Sequence, residues 1–149
     1  MPLDLNQILA EHRLWFETRG CEGVRARLQG VRLEGMDFSG AVLVEALFQG
    51  ADLSRSNFIG ADLRGANLQD ARLTGARLEG ANLEEADLMW SDLREANLQG
   101  ARLGGTYLQG ADLSTVRGLT SRQIDDAVRD GDTLLPPLDA SPESFISRD

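Results

Sequence analysis

The chain has 149 residues, a net charge of −9 and one cysteine, Cys21. An acidic chain lacks the basic face of a general nucleic-acid binder, so we expect no direct contact with nucleic acid. A single cysteine excludes an intrachain disulfide and fits a reducing compartment, the cytoplasm. No apolar run reaches the length of a membrane span and the N-terminus lacks a signal pattern, so we expect no membrane association.

The first predicted element is an α-helix over residues 5–19. Asp4 and Gln7 stand at the spacing of a capping box, and Gly20 is placed to end the helix. The apolar residues fall on one face, which is typical of a helix that packs against a core. That face carries Leu5, Ile8, Leu9, His12, Trp15 and Phe16.

A repeat of five residues dominates the middle of the chain. Every fifth residue from Leu28 to Leu113 is leucine or phenylalanine, and alanine usually stands two places before it. Neither the helical period of about 3.6 residues nor the strand period of about 2 residues fits this five-residue repeat. In extended backbone, residues two apart point the same way, so each unit sends one small and one large side chain inward. Glycine often follows two places later, where the chain must turn.

Columns of residues twenty apart indicate how many units make one coil. Gly40, Gly60, Gly80 and Gly100 form a glycine column, and a glutamine column is broken only by Met89. A third column alternates in charge, as a ladder of salt bridges between stacked strands would. Its members are Arg32, Asp52, Arg72 and Asp92. Four units per coil is the simplest interpretation, and it also predicts that Phe38 and Phe58 stack.

The tandem motif A(D/N)LxG over residues 26–115 resembles the pentapeptide-repeat family. The resemblance implies an all-β solenoid, a right-handed quadrilateral β-helix with four repeats per coil. With stacked strands about 4.8 Å apart, the repeats would form a rod of roughly 20 Å. We divide the chain into a capping helix and lead-in (1–25), the β-helix (26–115), and a second capping helix with a tail (116–149).

The second predicted helix begins after Thr120 and ends at Gly131. Thr120 and Gln123 form a capping box, and Leu119 and Ile124 a hydrophobic staple. Helices at both ends would cover the open strand edges of a solenoid, which otherwise invite aggregation. We expect the apolar half of the tail to pack on the last coil and about the final ten residues to be disordered.

The sequence offers no catalytic, metal-binding or cofactor-binding residues, so we expect no enzyme and no cofactor. The only histidine, His12, excludes a site with two histidine ligands. His12 and Cys21 lie across a helix end, and we interpret them as a packed cap histidine and a buried thiol instead of a nucleophile pair. The run from Asp130 to Asp132 lacks the ligands of a calcium loop and is interpreted as a helix C-terminus.

Large apolar residues at outward positions point to a binding surface. Met89, Trp90 and Tyr107 fall on the same side of adjacent coils if four units make a coil. Trp and Tyr are enriched where binding energy concentrates, so these three are the candidate partner-binding residues. The alternative is that the N-terminal helix or the C-terminal tail covers them.

An acidic patch is the second candidate surface, with Glu45, Asp62, Glu84, Glu85 and Asp87 around one corner. The resemblance implies a role for it, because some family members mimic duplex DNA and protect type II topoisomerases. This chain departs from that subgroup, since no loop interrupts its coils and one face alternates Arg with Asp. The other interpretation is a solvated surface that keeps the rod soluble.

The predicted function is therefore a non-catalytic rod that acts as an interaction scaffold for a protein partner of unknown identity. The alternative is a DNA-mimicking modulator or protector of a type II topoisomerase such as DNA gyrase. A homodimer joined through a coil end is an arrangement that the sequence leaves open.

Overall fold

The computed structural model describes residues 3–138. It consists of helix α1 (Leu5–Glu17), a continuous stack of coils, a short helix α2 (Ser121–Asp125), and a segment that returns to the stack. The strands are single-residue parallel bridges, each joining a residue to the one twenty positions later, from Arg27 with Leu47 to Asn97 with Arg117. Four units per coil is therefore correct, and the fold is a β-helix solenoid.

Each coil is held to the next by two kinds of backbone hydrogen bond. In the middle of the stack, the Leu68 N–H donates to the Asp87 carbonyl at 2.7 Å, and the Asn67 N–H donates back to Ala46 at 2.9 Å. At each corner a turn is closed by the N–H of the next small residue, usually alanine, which donates to the carbonyl of the preceding Leu or Phe. The Ala66 N–H, for example, donates to the Leu63 carbonyl at 3.0 Å. The turn places its third residue at positive φ, which explains the frequent glycine.

The inside of the coils is filled by the repeat residues. All the Leu and Phe centres are buried, and the small position beside each is mostly alanine. The rings of Phe38 and Phe58 stack at 4.7 Å, as predicted. Where the small residue is polar it finds a carbonyl: Ser56 donates to Leu33 at 2.7 Å and Thr106 to Leu83 at 2.6 Å. The buried hydroxyl groups are thus satisfied.

The alternating charge column stacks as predicted, but it is not the predicted salt-bridge ladder. Asp52 accepts hydrogen bonds from the Ser54 side chain at 2.6 Å and from its N–H at 3.1 Å. Within residues 3–138, no ion pair joins Asp52 to Arg32 or Arg72. An aspartate just before a turn prefers to bond the backbone two residues on. The Ser54 hydroxyl lowers the pKa of Asp52 most, and the two arginines add smaller effects.

Helix α1 lies across the open edge of the first coil. Asp4 accepts from the Gln7 N–H at 3.1 Å, and the helix ends at Glu17, two residues earlier than expected, because Arg19 and Gly20 take positive φ. The apolar face packs on the core through Leu5, Ile8 and Leu9.

His12 pairs with the edge of the first coil. The ring is fully buried, Nδ1 accepts from the Ala26 N–H at 2.9 Å, and Nε2 lies 2.9 Å from the Val44 carbonyl. Because Nδ1 is an acceptor, the hydrogen is on Nε2 and the neutral ring makes both bonds. His12 is therefore a packed residue, as the sequence predicted.

The burial of His12 makes a pH dependence testable. Burial lowers the pKa of His12 below its ordinary value of 6.5, an effect that the Val44 carbonyl partly offsets. The unfolded chain therefore takes up a proton first, so stability should fall as the pH drops below about 6.5. We expect the melting temperature to fall between about pH 7 and pH 5 in the wild type. His12→Gln, which has no titrating group, should change little in this range; an equal fall in both proteins would contradict the assignment.

Helix α2 is shorter than the sequence suggested. The capping box is present, with Gln123 Oε1 accepting from the Thr120 N–H at 2.8 Å, but the helix ends at Asp125 instead of Gly131. The chain then rejoins the stack, since Asp126 accepts from the Gly105 N–H at 2.9 Å, and residues 128 and 134 form new bridges. Pairing with the last coil therefore overrides helix propensity.

The segment after α2 completes the last coil. Asp130, interpreted above as part of a helix end, instead closes a loop by accepting from the Thr133 N–H at 3.1 Å. Leu135 and Leu138 pack against the core, in line with the expected packing of the apolar half of the tail. The stretch predicted to be disordered lies outside the described residues.

Candidate partner-binding face

Trp90 occupies a corner that most units give to glycine. Its φ is +59°, an unusual value for a bulky residue, and its side chain is 51% exposed. The indole lies over Gly110, the corner of the next coil, where an added Cβ would come within 2.3 Å of the ring. Trp90 thus packs on the next coil through one part of its ring, while about half of the residue is exposed.

The other two predicted residues lie on the same side of the stack. Tyr107 bridges to Asp87 and is 44% exposed, and Met89 is half-buried. The Trp90 N–H donates to the Gln109 carbonyl at 2.9 Å, so the strand with Trp90 runs directly beside the strand with Tyr107. The structure therefore brings all three together on neighbouring coils.

Val128 extends this surface, and sequence reasoning missed it. It bridges to Tyr107 and is 39% exposed. The sequence placed Val128 in a helix, and only its spacing of about one coil from Tyr107 hinted at a strand. We call Met89, Trp90, Tyr107 and Val128 the aromatic face.

Helix α1 does not cover the aromatic face. Its histidine bonds to Ala26 and Val44 in the first coil, whereas Trp90 lies in the fourth. Residues 126–138 contribute Val128 to the face and leave Trp90 and Tyr107 exposed. The alternative of cover by the helix is therefore wrong, and cover by the C-terminal tail would have to come from outside the described residues.

The contact between Trp90 and Gly110 can be measured by substitution. Gly110→Ala adds a methyl group against the indole and forces alanine into positive φ, whereas Gly50→Ala in the same corner column meets nothing within 4 Å. Positive φ alone should cost about 1–2 kcal/mol, so Gly50→Ala should lose that much and Gly110→Ala clearly more. The excess should disappear when Trp90 is also changed to glycine. Equal losses in a urea titration would show that the indole does not rest on Gly110.

The acidic patch is interrupted by arginines. Arg64 binds Asp62 at 2.6 Å and Arg102 binds Glu84 at 3.0 Å. Burial by itself would raise the pKa of Asp62, but the hydrogen bonds from Arg64 outweigh it and lower the pKa. Glu45 and Glu85 stand at the same corner two coils apart, and Asp87 lies across that corner and accepts from the Met89 N–H at 3.0 Å. The corner is acidic, but its charge is mixed.

His12 and Cys21, the two residues weighed as a nucleophile pair, have separate surroundings in the structure. His12 has both ring nitrogens engaged, and Cys21, predicted to be buried, is an exposed free thiol because the lead-in loop runs over the surface. Within residues 3–138, no three or more His, Cys, Asp or Glu side chains are arranged to hold a metal ion. In the same part of the chain, no helix is long and apolar enough to cross a bilayer.

Comparison with known proteins identifies the family. The pentapeptide-repeat profile, in eight copies, matches residues 24–58, 56–94 and 91–116, more than half of the chain. The chain therefore belongs to the pentapeptide-repeat family. No curated protein matches the sequence.

Several solved structures resemble this one. The pentapeptide repeat protein alr5209 from Nostoc Pcc 7120 is 26% identical with a TM-score of 0.64, over 83% of this chain and 96% of that one. One from the thylakoid lumen of Arabidopsis thaliana is 37% identical with a TM-score of 0.34, over 64% and 73%. The plasmid-mediated fluoroquinolone resistance protein QnrB1 is 16% identical with a TM-score of 0.26, over 72% and 88%. The last two TM-scores are too low to bear on function.

Proposed function

We propose that the chain is a non-catalytic scaffold that binds a protein partner through the aromatic face. The observation that carries the proposal is that Trp90 and Tyr107 are both exposed on the same side of adjacent coils. Side chains already fixed on a rigid support lose little conformational entropy when a partner covers them. Trp and Tyr are also the residue types in which interface energy concentrates.

The two ends act as caps in this proposal. The rod is residues 26–115, and of the two flanking segments, 1–25 and 116–149, the described parts (3–25 and 116–138) close its strand edges. The hydrogen bonds of His12 to the first coil support the N-terminal cap. At the other end, Gln123 Nε2 donates to the carbonyls of Leu98 and Ala101 at 2.8 and 2.9 Å. The exposed free thiol of Cys21 suits the reducing cytoplasm as the compartment.

The alternative, a DNA mimic that acts on a type II topoisomerase such as gyrase, has weaker support. Duplex DNA presents an unbroken row of negative charge, whereas Arg64 and Arg102 neutralise two of the five acids at this corner. A protein interface with an apolar centre and a polar rim fits the surface better.

Two sets of variants separate these functions. The first is Trp90→Ala with Tyr107→Ala, and its matched control is Val24→Ala with Met36→Ala, which removes exposed apolar side chains from the other end of the chain. The second changes Glu45, Asp62, Glu84, Glu85 and Asp87 to Asn or Gln. Each protein is used for affinity capture from a lysate of the native host, and in a gyrase supercoiling assay.

We expect the captured amount of one protein to fall at least tenfold when Trp90 and Tyr107 are both changed to alanine. Removing a hot-spot residue costs about 2 kcal/mol or more of binding free energy. Capture of that protein should survive in about 0.5 M salt, because an apolar contact is not screened. Capture by the aromatic variant equal to that by the control would overturn the proposal. Inhibition of gyrase that is lost only in the acid variant would establish the alternative.

A further inference from the structure

One side of the rod carries a regular pattern of opposite charges. We call residues 32–34, 52–54, 72–74 and 92–94 the charged face. Its first column alternates in sign along the rod, and each member bridges to the next. The alternating members are Arg32, Asp52, Arg72 and Asp92; the next residue, Asp112, bridges to Asp92 and ends the alternation beyond this face. A second column begins with Glu34, carries Arg94 on the fourth coil and continues to the uncharged Ser114.

We propose that this face binds the same face of a second copy of the chain, with the two rods antiparallel. The two-fold axis runs parallel to the strands and passes midway between the second and third coils. This operation sets the first coil against the fourth and the second against the third. Arg32 then meets Asp92 of the second copy, and Asp52 meets its Arg72.

The second column obeys the same symmetry. Glu34 meets Arg94 of the second copy, and Ser54, which is uncharged and buried, lies opposite Thr74 of the second copy without opposing charge. Sliding one rod by a single coil would set Arg32 against Arg72 and Asp52 against itself. Since like charges at contact are repulsive, the pattern selects one register as well as one partner.

The two cations of the first column are available for this contact. Arg32 and Arg72 are exposed, and neither forms an ion pair within residues 3–138. Asp92 and Glu34 are already paired within the chain, with Arg94 at 2.7 Å and with Arg55, and Arg94 also lies 3.7 Å from Asp112, so the second copy must share these charges. A shallow depression of about 500 Å³ on this face, lined in part by Asp52, Arg72 and Arg94, leaves room for arginine side chains of the second copy.

The size of the face sets the strength of the contact. Four coils about 4.8 Å apart and a side about three residues wide give a much smaller area than the roughly 800 Å² per partner of a stable complex. The association should therefore be weak, and it should depend on salt because it rests on exposed charges. This inference does not depend on the aromatic face.

Sedimentation velocity of the full chain tests the proposed dimer. The protein is measured at concentrations up to about 1 mM, in about 20 mM and in about 0.5 M salt. We expect a dimer that forms with rising concentration at low salt and is absent at high salt. Arg32→Asp with Arg72→Asp should weaken the association at least tenfold. Arg77→Asp with Arg117→Asp, the same change of charge on the neighbouring side, should leave it intact.

A mixing experiment distinguishes pairing from misfolding. Asp52→Arg with Asp92→Arg makes the first column wholly positive, and Arg32→Asp with Arg72→Asp makes it wholly negative. Each variant alone should be a monomer, and an equal mixture should form a dimer. A wild type that stays monomeric at low salt, a control that also loses association, or a mixture that remains monomeric would each overturn the proposal.

Discussion

Ala66→Leu is expected to destabilise the protein at least as much as Leu68→Ala, for which we expect about 2–5 kcal/mol. Both side chains are buried inside the middle of the stack. Leu68→Ala leaves a cavity, whereas Ala66→Leu adds volume to a coil whose diameter is fixed by its backbone bonds to the coils above and below. The coil can neither collapse nor widen without breaking those bonds.

Urea titration followed by circular dichroism measures both variants. Arg77→Leu is the matched control, because it places the same side chain at an exposed position of the same coil. We expect the control to stay within about 0.5 kcal/mol of the wild type. If Ala66→Leu unfolds at the same urea concentration as the wild type, the interior is not narrow and the description of the core is wrong.

Deleting residues 1–19 is expected to cause aggregation while the β signal of the coils remains. The deletion removes α1 and both His12 bonds, so the first coil presents an open edge together with uncovered apolar core. Size-exclusion chromatography with light scattering over a range of concentrations measures the effect.

Leu14→Glu is the control for this deletion, because Leu14 lies on the exposed side of α1. It should remain monomeric under conditions in which the truncated chain aggregates. A truncated chain that stays monomeric at high concentration would show that α1 is not a cap. The helix would then become a candidate binding element.

The β-helix was predictable because the repeat constrains every unit in the same way. Each unit has a bulky central residue, a small residue two places before it and a corner that accepts positive φ, and one regular fold accommodates all three. Similar residues recur twenty positions apart, which indicates the length of one coil. The ends were less predictable, because tertiary pairing competes there with local preference. Residues 126–131 have the sequence signals of a helix, yet backbone hydrogen bonds pair this stretch with the edge of the last coil.

The candidate surfaces were also predictable from the sequence only in part. Met89, Trp90 and Tyr107 could be placed together from register alone, but Val128 could not, because its position depends on where α2 ends. The charges of the acidic patch were readable, whereas their pairing with Arg64 and Arg102 depends on side-chain geometry. Asp52 likewise accepts a hydrogen bond from the nearby Ser54 instead of pairing with a stacked arginine. The twenty-residue spacing alone does not predict this.

The most direct test of the central claim is whether Trp90 is accessible in the free, full-length protein. Trp15 is the other tryptophan, so Trp15→Phe leaves Trp90 as the single indole fluorophore. We predict emission typical of a hydrated indole and efficient quenching by acrylamide, because half of the side chain faces solvent. Blue-shifted emission with weak quenching, reversed by deleting residues 139–149, would show that the chain covers its own aromatic face and would contradict the proposed binding surface.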